Sequence, residues 1–319
     1  MNRVKKILRW LAPFVITTAA LVWVFQGIDF GSVAARLTPT ALGTMIPALL
    51  AFGAVALWIE AECLVLLLPA SREVFDRGTA ARIKAASYPL ALIHYAIGAG
   101  ALAVLLNRRT AQGVGDAAGT VGLISLFDIG IQLLMLILGF AVLETDAATA
   151  DVRVGVAIGV ASCLTLGFFG LRTRLPLGPL ERIRTLSIFE ATRTTPGSKL
   201  AALAALRTAF ALVFVTLIWV CCRAFGIEAP WAFLLAGVPL LIVVAMIPSV
   251  AGLGTGQVAF VSIFARYGSE ETLLACSLAF STGLIALRAG MGLLFAREFT
   301  REAFVAVREA EDSATGGTP

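Results

Sequence analysis

The sequence predicts an all-α, polytopic membrane protein made of two inverted repeats, each with a re-entrant, broken helical hairpin. Three observations lead there: an apolar excess too large for one soluble core, apolar stretches of membrane-crossing length, and a charge distribution that makes sense only if two stretches dip in and return. Of the 319 residues, 59% are hydrophobic and 14% charged, with a single histidine. A soluble chain of this size cannot hide so much apolar surface.

Crossing roughly 30 Å of hydrocarbon takes about 20 helical residues. Candidate stretches are Leu11 to Phe25, Ala41 to Leu68, Ala85 to Leu106, Ala117 to Leu143, Val154 to Leu171, Leu200 to Cys222, Trp231 to Ile247 and Leu273 to Phe295. Helices are expected because an open strand would leave its backbone polar groups unpaired in lipid. The basic start followed by an apolar run also fits a signal peptide. The absence of a convincing small-residue cleavage site favours a retained first helix. Cys63, Cys163, Cys221, Cys222 and Cys276 lack metal-type spacing and read as small core residues.

The net charge of +5 is distributed as membrane orientation rather than as a nucleic-acid surface. Arg3, Lys5, Lys6 and Arg9 place the N-terminus in the cytoplasm, and Arg72, Arg77, Arg82 and Lys84 mark the next cytoplasmic loop. If Ala85 to Leu106 crossed, Arg108 and Arg109 would be external, and so would the basic loop containing Arg172, Arg174, Arg182, Arg184, Arg193 and Lys199. A hairpin broken around His94 to Gly100 removes the conflict. The same logic turns residues 231 to 267 into a second hairpin, opened from the outside and broken at "IPSVAGLGTGQ", and returns the last span to cytoplasmic Arg297, Arg301 and Arg308. Irregular backbone at membrane depth needs shelter from protein or a water-filled cavity. The hairpin breaks are therefore expected at Pro89, Gly98, Gly100, Pro248, Gly252, Gly254 and Gly256.

Landmarks recur at an offset of about 160 residues, with Ala41 matching Leu200, Pro89 matching Pro248 and Asp128 matching Arg288. The expected division is a membrane domain over residues 1–299, with repeats at 1–146 and 151–297, and a polar cytoplasmic tail over 300–319 that is expected to be disordered. Secondary transporters often place a substrate site where such repeats meet.

Ionisable side chains at membrane depth cost roughly 2.5 to 3.5 kcal/mol on insertion scales, so they mark cavities or partners. Asp128 and Arg288 occupy equivalent places with opposite charges and are expected to pair, either as a functional site or as a structural ion pair. His94 reads as a titrating or headgroup-binding group, or as a satisfied packing residue. Arg207 lines a cytoplasmic vestibule or snorkels to the interface. Glu60 and Glu62 stand between a vestibule role and simple proximity to water. Gln257, beside the second break, completes the candidate headgroup path.

One histidine excludes multi-histidine metal sites, and no phosphate-binding loop, nucleophile elbow or C-x-x-C is present. "GLGTG" has no strand before it and is not a dinucleotide loop. No cofactor, no metal and no enzymatic role are expected, although a membrane-embedded transferase using Asp128 as a base remains an alternative.

With these features in hand, "IPSVAGLGTGQVAFVSIFARYG" and "LLNRRTAQGVGDAAGTVGLISLFD" resemble the membrane region of bacterial lysylphosphatidylglycerol synthases and the single-domain proteins called flippase-like, over about residues 5 to 300. The resemblance implies movement of a lipid, an anionic phospholipid or a glycolipid, between leaflets of the bacterial inner membrane. It points to Pro248, Gly252, Gly254, Gly256, Asp128 and Arg288. Two departures stand out. The first hairpin reads "YAIGAGALAV" where many relatives show proline, glycine and an acidic residue, and the aminoacyl-transferase domain is absent, so a separate lipid-modifying enzyme is an expected partner. The rival readings are a membrane-embedded enzyme, an accessory subunit of a lipid glycosyltransferase, and an ion-coupled small-solute carrier.

Overall fold

The computed structural model describes residue 31, residues 35–68, 75–93, 95–110, 113–142, 189–245 and 255–295, and isolated positions between 158 and 172. Nine α-helices and one short 3-10 helix are assigned among them. In chain order the helices are α1 (Pro39–Leu67), α2 (Arg77–Ile93), α3 (Tyr95–Thr110), α4 (Val114–Val142), α5 (Glu190–Thr194), α6 (Gly197–Ala224), α7 (Trp231–Ala245), α8 (Thr255–Phe264) and α9 (Glu270–Leu294). Four are long and apolar enough to cross a membrane: α1, α4 through Gly139, α6 and α9. This is an all-α, multi-pass membrane protein. The expected spans Leu11 to Phe25 and Val154 to Leu171, His94, Pro248, Gly252, Gly254 and the tail 300–319 lie outside the described residues, apart from isolated positions in the second span.

Local chemistry sets the helix ends. Thr38 caps α1 by accepting a hydrogen bond from the Ala41 amide at 3.2 Å, and Pro39 opens the helix where its missing N–H costs nothing. Asp76 caps α2 through the Thr79 amide at 2.9 Å. Ser269 caps α9, whose first turn carries Glu270 and Glu271 toward the positive end of the helix dipole. At the end of α6, Gly226 takes φ +73°, the Ile227 amide bonds the Cys222 carbonyl at 2.8 Å, and the Gly226 amide bonds that of Arg223. That is a Schellman termination, with Ile227 buried against the helix it closes.

The order of a long helix, two short ones and a long helix occurs twice, as α1 to α4 and as α6 to α9. Both pairs of short helices are hairpins. Between α2 and α3 only position 94 intervenes, and Gly98 presses on Ala91 so closely that a methyl group there would collide with Ala91's Cβ and backbone. In the second hairpin Phe233, near the start of α7, packs edge-on against Phe264 at the end of α8, with centroids 5.4 Å apart, so the arms run antiparallel.

These positions correct the expected breaks in the first hairpin. Pro89 lies inside α2, and Gly98 and Gly100 lie inside α3. The two helices are separated by a single position, and Gly98, unlike Gly100, serves for close packing of the arms. Proline leaves the Ala85 carbonyl without its in-helix partner. There α9 arrives with Gly292, where a methyl group would strike the Pro89 ring and lie 3.4 Å from that carbonyl oxygen. Gly256 starts the second arm, in the first turn of α8.

The long helices α1 and α6 run antiparallel, because Phe52 meets Phe214 while the later Glu60 meets the earlier Arg207. Each half of this pair contributes to a separate apolar core. One core joins Leu49 and Phe52 to Val215, Ile218, Leu234, Phe260 and Phe280, drawn from α6 to α9. The other joins Ile59 and Leu64 to Ile83, Leu105, Leu123 and Leu203. The last long helix of each half leans on the first hairpin arm of the other half. Thus α9 packs on α2 and α4 packs on α7, and a methyl on Gly139 of α4 would come within 2.5 Å of both the Cβ and the backbone nitrogen of Ala236. Small residues at such crossings let backbones approach in a setting where lipid supplies no hydrophobic drive.

Candidate functional site

Four charged side chains from four helices meet within the second core. Arg207 of α6 is 1% exposed, and its Nη1 donates to Glu60 Oε1 on α1 at 3.0 Å and to Asp128 Oδ1 on α4 at 3.1 Å, with Oδ2 at 3.3 Å. The second carboxylate oxygen of Glu60 receives Lys84 Nζ of α2 at 2.9 Å. Two cations face two anions, so the cluster is formally neutral.

Helical periodicity delivers these residues. On α6 the buried stripe runs Leu200, Leu203, Arg207, Ala211, Val215 and Ile218, and arginine takes a position otherwise given to apolar residues. On α1 the stripe Leu49, Phe52, Ala56, Glu60 and Cys63 does the same with glutamate. The antiparallel crossing brings the two exceptions together. Glu62, one residue beyond Ala61 on another face, pairs instead with Arg77 at the start of α2.

The members are held unequally. Glu60 is gripped by both cations and is 7% exposed. Asp128 has Arg207 as its ion-pair partner, and its side chain is 30% exposed. Arg207 is lopsided: Nη1 serves both carboxylates, while Nε and Nη2 are buried with no hydrogen-bond partner among the described residues. A buried donor left unpaired costs about 1 to 3 kcal/mol, so a guanidinium in this state favours an additional acceptor. Cys63 lies beside it on α1, and the Phe210 ring, 5.4 Å from the guanidinium carbon, covers it on α6. From Phe210 an aromatic row continues through Phe52, Phe214 and Phe280 into the other core.

The expected pairing of Asp128 with Arg288 is corrected. α4 packs against α7, α3 and α6, whereas α9 packs against α2, α8 and α1, so the cation within reach of Asp128 is Arg207. Arg288 is partly buried on α9, and its charge acts on Tyr88, whose ring lies 6.0 Å from Lys84 Nζ. Gln257 belongs to the other core, where it is fully buried and donates to Ser281 Oγ at 3.3 Å, linking α8 to α9. Lys84 is the member that the sequence reading placed in a cytoplasmic loop. Its position among buried Ala80, Ile83, Ala86 and Ser87 at helical spacing carried the signal.

The arrangement can present an anion with a buried guanidinium whose Nε and Nη2 are unpaired among the described residues, next to a partly exposed carboxylate. An arginine fork of this kind suits phosphate and carboxylate oxygens. No curated protein is similar enough to match the chain. The family model of the lysylphosphatidylglycerol synthase TM region matches residues 10–287, which is most of the sequence. With its membrane-crossing helices and its buried charge cluster, the chain belongs to the lysylphosphatidylglycerol synthase TM region family, membrane proteins linked to lipid modification.

Proposed function

We propose that this protein moves an anionic phospholipid or glycolipid between the leaflets of the bacterial inner membrane, without altering it chemically. The observation that carries the reading is Arg207, an arginine buried inside a membrane domain with two guanidinium nitrogens unpaired among the described residues. A headgroup phosphate supplies the oxygens those nitrogens lack. Asp128, the more exposed of the two carboxylates, is the one the headgroup approaches first.

The architecture supports a path of this kind. Antiparallel α1 and α6, each followed by an antiparallel hairpin, are what two inverted repeats require, with hairpins that enter and leave on one face. The basic residues at the N-terminus, in the loop before α2 and after α3 then lie in the cytoplasm, as do the chain's ends. Modification of the lipid falls to a separate enzyme.

The test is flipping of a fluorescent phosphatidylglycerol in vesicles containing the purified chain. Transfer faster than in protein-free vesicles is expected, as is its loss in Arg207→Gln. A new lipid species by mass spectrometry would replace this reading with an enzymatic one.

A further inference from the structure

This inference rests on the translocator reading and concerns how the same site keeps its charge balanced. The Glu60, Lys84, Asp128 and Arg207 cluster is neutral as it stands, and an anionic headgroup would add a negative charge inside a membrane domain. Arg207 is the ion-pair partner of Asp128, so a phosphate held by Nε and Nη2, which are unpaired among the described residues, shares that counterion and sets a second negative charge beside the carboxylate. Glu60 does not depend on that counterion alone, because Lys84 holds its other oxygen at 2.9 Å. We infer that a phosphodiester anion binds at Arg207 together with one proton, which Asp128 takes up as the phosphate comes to share its counterion.

The charges balance. Before binding, two carboxylates face two cations. Afterwards, ionised Glu60 and the phosphodiester face the same two cations, and Asp128 is a neutral acid whose proton has come from water. Asp128 is the less enclosed of the two carboxylates, with 30% of its side chain exposed against 9% for Glu60.

The groups acting on Asp128 are Arg207 first, then Glu60 and Lys84, and Asp128 in turn acts on Cys63. Among the described residues, the other elements packed on α4 bring no competing counterion. α7 carries no ionisable residue, and α5 carries Glu190 and Arg193, neither among the groups acting on Asp128. Arg108 and Arg109 lie at the end of α3, next to the start of α4, while Asp128 is roughly 20 Å along that helix. Arg172 donates to the carbonyls of Thr192 and Thr195.

The experiment is calorimetric titration of the full-length protein in detergent with dihexanoyl phosphatidylglycerol, in buffers of different ionisation heat. The acyl-free glycerophosphoglycerol, whose acid group stays ionised throughout, is run in parallel. The wild type is expected to take up about one proton per lipid, with affinity falling as pH rises, by about tenfold per pH unit where the uptake is complete. Asp128→Asn mimics the protonated acid, so it is expected to bind with no proton uptake and no pH dependence. Asp128→Glu, which keeps an ionisable group, is expected to restore both. Lipid binding by the wild type without proton uptake, or equal uptake in Asp128→Asn, overturns the inference and leaves the translocator reading standing. Failure of the wild type to bind either compound overturns both. Equal binding of glycerophosphoglycerol, with one proton, upholds the proton linkage but assigns the site to a free phosphodiester, which sinks the lipid reading.

Discussion

Glu60 and Arg207, 147 positions apart in the chain, meet at 3.0 Å across the antiparallel crossing of α1 and α6. The contact joins the two halves of the molecule at one point, and both residues sit on stripes that are otherwise apolar. A buried pair of this kind is weak evidence for stability as a whole, yet breaking it from one side leaves an uncompensated charge, at a cost of about 3 to 5 kcal/mol. Glu60→Gln and Arg207→Gln are each expected to lower stability by that order. The double variant is expected to lose clearly less than the sum, as thermal unfolding in detergent would measure. Additive losses would mean the two residues do not act as a pair.

The crossing of α4 over α7 makes a second demand. A methyl group on Gly139 would sit 2.5 Å from the Ala236 nitrogen, an atom that cannot move without α7. Gly139→Ala is therefore expected to destabilise by about 1 to 3 kcal/mol through overpacking. Gly130, on the same helix with nothing within 4 Å, is the control. There alanine is expected to be neutral or to stabilise by up to about 1 kcal/mol through helix propensity. Equal effects at both positions would contradict the close crossing.

The sequence made the long apolar helices legible because length and hydropathy act locally along the chain. It also exposed Asp128 and Arg207 as charges where lipid-depth residues should be apolar. What remained hidden was the partnership. A match of Asp128 with Arg288 by repeat position assumes that equivalent helices touch. In this fold the last helix of each half leans on the other half's hairpin, so α4 and α9 are kept apart and the counterion comes from α6. Lys84 was hidden for a different reason. Positive residues near helix ends read as markers of the cytoplasmic side, and only the buried positions around it distinguish a lysine turned inward.

Asp76 offers a pH test outside the membrane-spanning helices. Hydrogen bonds from Thr79, first through its side chain and then its backbone, hold the Asp76 carboxyl below its ordinary value. A lowered folded-state value means that the cap stabilises above the ordinary carboxylate range and is lost as pH falls through the lowered one. Asp76→Ala is expected to speed hydrogen exchange at the Thr79 and Ala80 amides at pH 7. The wild type is expected to show comparable fraying only on acidification. Unchanged exchange in the variant would show that packing, rather than the cap, fixes the start of α2.

The hairpins make a prediction about sidedness. Arg77 begins α2 and Arg108 falls near the end of α3, and the two arms pack along one another with one residue between them. A chain that turns back must present both ends on one face of the membrane, while an ordinary crossing would put them on opposite faces. In a background without native cysteines, Arg77→Cys and Arg108→Cys are expected to label together with a membrane-impermeant maleimide added from the cytoplasmic side. Trp231→Cys and Arg266→Cys, at the two ends of the second hairpin, are expected to label together from the outside. α2 and α3 are each roughly 25 Å long, so the first hairpin reaches deep into the hydrocarbon layer without its ends separating. Labelling of Arg108→Cys from outside while Arg77→Cys labels from inside would make α2 and α3 a single broken span. It would also reverse the direction of every helix from α4 onward relative to the membrane, and Arg207 could not then serve a path between two opposed hairpins.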